Sequence, residues 1–198
     1  MNYLAHAYLS FGYPEVLLGN MISDYVKGKM QYDYPAAIQA GIKLHRAIDH
    51  FTDHHPATKE IASLFHPYYR LYSGAFADVV YDHYLANDRL HFPDDAGLLH
   101  FTKQTYYLLE QQSLHFPLKF SGMFPYMVQQ NWLYNYQFDW GIQKSFQGLA
   151  RRATYIAETD TAMEIFLKNK EFIRSRYQVF FPSVKKFAQQ TMEGLLKA

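Results

Sequence analysis

Apolar residues recur along this chain at steps of three and four, and alternation with period two is scarce, a pattern that predicts an all-α protein. Helix starts are marked by a proline near the first turn or by a capping acid, at Pro14, Pro35, Pro56, Asp94, Asp139 and Asp160. Gly12, Gly28, Gly74 and Gly122 fall where breaks are expected. These signals predict helices near 2–10, 14–28, 35–54, 56–66, 74–90, 94–114, 124–136, 139–152 and 160–196, with Pro182 placed to split or kink the last. At 198 residues the expectation is a single domain spanning 1–198, a bundle of roughly eight to ten helices.

Most helical stripes are bland. Met163, Phe166, Ile173, Tyr177, Phe180, Val184 and Phe187 are all apolar or aromatic and read as core packing with no chemistry implied. The 35–54 helix departs from that rule. At 100° per residue, Ile38, Ile42, His45 and Asp49 fall within roughly 60° of arc, flanked by Thr52 and Asp53. The stripe that should face the interior turns into His–Asp–Asp halfway along. In the 74–90 helix, Asp78, Asp82, Tyr81 and Leu85 share a face in the same way. Asn20 and Asp24, and Asn2 and His6, repeat the four-residue spacing. Ionisable groups are rarely kept in a core unless they are paired or bind a metal.

A metal site explains these pairs economically, because two ligands four apart on one helix chelate a single ion. Imidazole mixed with several carboxylates and no sulfur suits Mn(II), Mg(II) or Fe(II) better than structural zinc. Each pair also has a plainer reading. His45 and Asp49 form a helix-surface pair, Asp78 and Asp82 are two solvated acids, and His6 is a hydrogen-bonded core histidine. Arg46, next to His45, offers fork-shaped donors that suit a phosphate; its plainer role is a salt bridge to a ligand carboxylate. His83 points about 100° away from Asp82 on an ideal helix. Glycine-rich phosphate loops and nucleophile elbows are lacking.

Composition narrows the classes. Apolar residues make up 49% and charged residues 19%, a globular balance. With no cysteine, disulfides, thiolate nucleophiles and Cys-type zinc sites are excluded. The N-terminus lacks a basic region and cleavage pattern, so no signal peptide is expected and a cytoplasmic location fits. The uncharged stretch Phe120–Phe138 carries Gln129, Gln130, Asn131, Asn135 and Gln137 and makes a poor membrane helix. A net charge of +1 argues against general nucleic-acid binding. Its distribution is uneven: residues 1–142 hold 9 basic and 13 acidic side chains, residues 143–198 hold 10 and 5. Arg151, Arg152, Lys168, Lys170, Arg174, Arg176, Lys185 and Lys186 lie in the basic part, which could steer an acidic partner or be ordinary solvated helix faces. No residue pattern fixes an oligomeric state.

The blocks MNYLAHAYLS, GNMISDYVKG, GIKLHRAIDHFTD and DVVYDHYLAND resemble, in order, the signature blocks of the bacterial acyl carrier protein phosphodiesterases, also called acyl carrier protein hydrolases. Weaker similarity continues through NWLYNYQFDWGIQ, GLARR and RYQVFFPSVKKFA, so it covers essentially the whole chain. The resemblance implies kinship with HD-type metal-dependent phosphohydrolases, hence an HD-like helical bundle with His and Asp ligands on separate helices. It implies hydrolysis of 4′-phosphopantetheine from holo-acyl carrier protein to leave apo-protein, typically with Mn(II), and the basic last third would dock that acidic partner. By position it points to His6, Asp24, His45, Asp49, Asp78 and Asp82 as metal ligands and to Arg46, Asp53 and His83 as catalytic residues. Arg46 with Lys27 would stabilise phosphoryl charge, and His83 or Asp53 would protonate the leaving oxygen. The adjacent pair reads Asp82-His83 rather than the usual His-Asp order. Two other readings stay open: an HD-like phosphohydrolase acting on nucleotides or another small phosphodiester, and a non-catalytic helical binding protein with a buried polar network.

Overall fold

The computed structural model describes residues 1–197, and among these it contains helices and turns but no strand. The α-helices are α1 (Tyr3–Tyr8), α2 (Pro14–Ile22), α3 (Ala36–His54), α4 (Pro56–Tyr69), α5 (Ser73–Ala86), α6 (Asp95–Glu110), α7 (Leu118–Gln129), α8 (Trp132–Asn135), α9 (Asp139–Arg152), α10 (Asp160–Lys168) and α11 (Lys170–Lys197). The expected all-α class holds. Pro14 and Pro56 open α2 and α4, and Asp94 caps α6 by accepting the Gly97 N–H at 2.7 Å.

Several boundaries differ from the sequence pattern. The expected 14–28 helix stops at Ile22 and tightens into a 3₁₀ turn at Ser23–Tyr25, which sets Asp24 beside α3. The 124–136 segment is two helices, because Asn131 adopts a left-handed φ of 48° and breaks the chain between α7 and α8. Gly122, expected at a break, lies inside α7, as does Pro125. The last segment breaks at Asn169, whose amide Nδ2 turns back to the Ile165 carbonyl at 2.7 Å, while α11 runs through Pro182.

Helix α5 is the centre of the molecule. Phe76, Val79, Val80, Tyr81 and Leu85 are all fully buried, and from Val79 to Ala86 the helix is enclosed on every face. Helix α11 lies across α3, α4 and α5 through Tyr177, Phe180, Phe181 and Val184, with Phe180 stacked on Tyr81 at 4.2 Å between ring centroids. Helix α1 lies against α2 and α5, and α2 packs along α3.

The α2–α3 crossing positions the polar centre. A Cβ on Gly19 would overlap the Ile38 carbonyl oxygen, and a Cβ on Gly41 would overlap the Val16 carbonyl oxygen. Only glycines allow the two backbones to touch here. One turn beyond Gly41, this contact brings the His45 ring to the main chain of Asn20. None of the described helices is long and apolar enough to cross a membrane.

Candidate metal centre

His6 from α1 and His45 from α3 meet over the end of α2, both buried, with their rings stacked at 4.0 Å and 16° from parallel. Asn20, itself fully buried, fixes both rings. Its side-chain Oδ1 accepts from His6 Nδ1 at 2.7 Å, and its main-chain carbonyl accepts from His45 Nδ1 at 2.7 Å. The amide orientation follows from its other end, where Nδ2 donates to the His6 carbonyl at 2.8 Å and to Ser10 Oγ at 3.1 Å. With both Nδ1–H groups committed, the two Nε2 atoms present lone pairs to the same place.

That place is the Asp49 carboxylate. His6 Nε2 lies 3.1 Å from Asp49 Oδ1, and His45 Nε2 lies 3.1 Å from Asp49 Oδ2 and 3.3 Å from Asp24 Oδ1. His45 Nε2 is buried and makes no hydrogen bond of acceptable geometry. A bare imidazole lone pair between two carboxylates is untenable without a cation or a proton between them. One ligand atom from each of His6, His45 and Asp49 falls within 4.8 Å of the others, a spacing able to hold one metal ion. Asn20 stands behind both imidazoles in the way outer partners orient metal-bound histidines. The residues present therefore fit a divalent cation.

The electrostatics agree with that geometry. Burial, with the neighbouring His45 ring, pushes His6 down to about 4, so it stays neutral. Burial also lowers His45, but the carboxylates of Asp24 and Asp49 raise it further, to about 9. Asp24 is held below the usual carboxylate range by its contact with His45. Burial raises Asp49, yet the Met1 amine, His6 and His45 together drive it well below that range.

The remaining expected site residues divide. Asp78 is in the cluster's margin: its carboxylate sits 3.3 Å from the Met1 amine, which also donates to Asp49 Oδ1 at 2.9 Å. Asp82 is turned to another task. Fully buried on α5, it accepts the Leu4 and Ala5 N–H groups at 2.7 and 3.2 Å and so anchors the first turn of α1. Burial raises it to about 7 against those two donors. His83 is not with the cluster: its Nδ1 bonds the Tyr136 carbonyl at 2.8 Å and its ring packs edge-on to Phe166. Arg46 donates to Gln31 Oε1 at 2.8 Å and to the Val26 carbonyl at 3.0 Å, bracing the 26–33 segment.

Two openings reach the centre, and His45 and Asp24 border both. One is a cleft of about 240 Å³ that also includes Tyr3, His6, Asp78 and Arg152. The other is a wider groove carrying Lys27, Arg46, Asp49, His50 and Asp53. Asn20 and Arg152 were not among the residues expected at the site. Asn20 shared the four-residue spacing with Asp24, a signal for its place. Arg152 read as a surface charge, although its i,i+3 partner Leu149 faces the same cleft.

Comparison with known proteins bears on the chemistry. A family model described as acyl carrier protein phosphodiesterase matches residues 1–184. The acyl carrier protein phosphodiesterase of Yersinia pestis is 30% identical over 189 residues, covering 96% of this chain and 98% of that protein. The protein of that name from Photorhabdus laumondii is 32% identical over 152 residues, 77% of each chain. That from Pectobacterium atrosepticum is 35% identical over 136 residues, 69% of this chain and 70% of its own. No solved structure gives a significant match.

Proposed function

The chain belongs to the acyl carrier protein phosphodiesterase family, a family of phosphoric diester hydrolases, and we propose that it removes 4′-phosphopantetheine from holo-acyl carrier protein with the help of a divalent metal. The observation that carries the reading is the convergence of the buried His45 Nε2 and His6 Nε2 on one carboxylate, Asp49, within reach of a single ion. His6, His45 and Asp49 would hold the ion, with Asp24 beside them. Two imidazoles with carboxylates suit Mn(II) or Fe(II), and the imidazoles disfavour Mg(II). The ion would supply positive charge against the phosphoryl oxygens and lower the pKa of a water near neutrality.

The chain's own residues do the rest. Asn20 locks both rings in the tautomer that leaves Nε2 free. Water attacks phosphorus, the bond to the carrier protein's serine oxygen breaks, and 4′-phosphopantetheine leaves as a phosphate monoester. The serine oxygen takes up a proton. His50 and Asp53 border the wider groove, and His83 lies away from the cluster.

Docking draws on the basic last third. Lys170, Arg174 and Arg176 are paired with Asp139, Glu171 and Glu60, and Lys185 donates to Tyr8 Oη. Arg151, Lys168 and Lys186 are exposed and have no acidic partner among the described residues, so they would meet an acidic carrier protein.

Intact-mass analysis of holo-carrier protein after incubation with this protein and Mn(II) tests the reading. Loss of the prosthetic-group mass with Mn(II), blocked by EDTA, supports it. Unchanged holo-carrier protein, with turnover of free nucleotides instead, would favour the small-diester alternative.

A further inference from the structure

We propose that Arg152 is the residue that grips the phosphoryl oxygens of the substrate diester, the part that Arg46 was expected to play. The last turn of α9 delivers Arg152 to the narrow cleft that also exposes His6, Asp24, His45 and Asp78. It is the one arginine or lysine among the described residues bordering that cleft. Its Nε donates to the Gly148 carbonyl at 3.1 Å, which uses one N–H and orients the guanidinium plane. The two terminal nitrogens have no hydrogen-bond or carboxylate partner among the described residues. Arg89, Arg174 and Arg176, by contrast, are each paired with an acid.

Arg152 is exposed, and its guanidinium borders the same cleft as Asp24 and Asp78 without pairing with either. No Arg152–carboxylate pair lies within 4.0 Å among the described residues, so the fork is open to an anion that enters the cleft. A phosphodiester carries one negative charge and two unesterified oxygens, which match two parallel N–H donors. The Arg46 fork is already closed on Gln31 and Val26, from a position in the other, wider groove. Arg46 thus positions the 26–33 segment, and Arg152 faces the reacting group.

The assignment rests on the phosphodiesterase reading, and its test separates the two. Arg152→Gln and Arg152→Lys are compared with the parent protein, loaded with Mn(II), on holo-carrier protein and on bis(p-nitrophenyl) phosphate. Inorganic phosphate binding is titrated calorimetrically in parallel. Expected is a loss of about 100-fold in kcat for Arg152→Gln on both substrates, the scale seen when one donor to a developing charge is removed. Phosphate affinity should fall about tenfold, with Arg152→Lys recovering part of each loss through its point charge. A rise in KM confined to carrier protein, with phosphate affinity unchanged, would make Arg152 a docking residue and overturn the proposal. Failure of the parent protein to cleave either diester would sink the hydrolase reading instead; Arg152 then stands or falls on the phosphate titration.

Discussion

The imidazoles of His6 and His45 lie face to face, 4.0 Å between centroids, and a single residue, Asn20, holds the Nδ1 of both. Two helices distant in sequence thereby present two Nε2 atoms to one carboxylate. Asn20→Ala should leave the ligands in place but free the His6 ring. Mn(II) affinity should fall roughly 10- to 100-fold, the range for loss of an outer partner. Calorimetric titration of chelator-stripped protein checks it; affinity equal to the parent's would mean that Asn20 serves packing alone.

Asp24 and Asp82 looked equivalent in the sequence and do different work in the fold. Asp24 is largely exposed and touches His45, so Asp24→Ala should impair turnover while shifting stability by no more than about 0.5 kcal/mol. Asp82→Ala orphans two buried N–H groups in α1 and should cost about 2–4 kcal/mol. Urea unfolding of both variants beside a turnover assay decides. Equal stability losses would contradict the division of roles.

Metal binding should release a proton. Asp24 and Asp49 hold a proton on His45 up to about pH 9 in the metal-free protein, and a ligand imidazole must be bare. At pH 7 one metal ion therefore displaces about one proton, and affinity should rise about tenfold per pH unit from 7 toward 9. The sign follows from His45 being raised: protonation competes below about 9 and vanishes above it. Calorimetry in buffers of different ionisation enthalpy measures the proton directly. Flat affinity across that window would show that His45 is not a ligand.

The α2–α3 glycine contact should be intolerant of a methyl group. Gly41→Ala drives a Cβ into the Val16 carbonyl and should destabilise by about 1–3 kcal/mol, with loss of metal affinity as His45 shifts from Asn20. Gly122 lies inside α7 with open space around it, so Gly122→Ala should stabilise by about 0.5–1 kcal/mol. Thermal unfolding of the pair is the check. A neutral Gly41→Ala would mean the helices have room to separate.

Docking charge should separate from chemistry. Arg151→Glu and Lys186→Glu should raise KM for holo-carrier protein at low salt, with kcat nearly kept and the effect fading as salt rises. Steady-state kinetics at two ionic strengths measures this. An unchanged KM would remove the basic third from the docking surface.

Much of this was legible from residue spacing. The inward turn of His45 and Asp49 on α3 followed from period 3.6, because a chelating pair on one helix is a local pattern, whereas His6 was pointed to by the family resemblance. What spacing could not show is which partner a buried acid meets. Asp78 and Asp82 share a face of α5, but the chain opposite them is the start of α1, whose Met1 amine and Leu4 and Ala5 N–H groups take those carboxylates. Arg46 misled for a related reason. The helix expected to run to residue 28 ends at Ile22, and the freed segment folds back to occupy its guanidinium. Asn169 rather than Pro182 breaks the last helical segment, because a side chain that caps a carbonyl ends a helix as surely as a missing N–H.

The most direct measurement is anomalous diffraction from crystals of the protein loaded with Mn(II). One peak per chain, bounded by His6 Nε2, His45 Nε2 and the Asp49 carboxylate, is the predicted result. A map with no peak there, and His45 still facing Asp49 directly, would contradict the account.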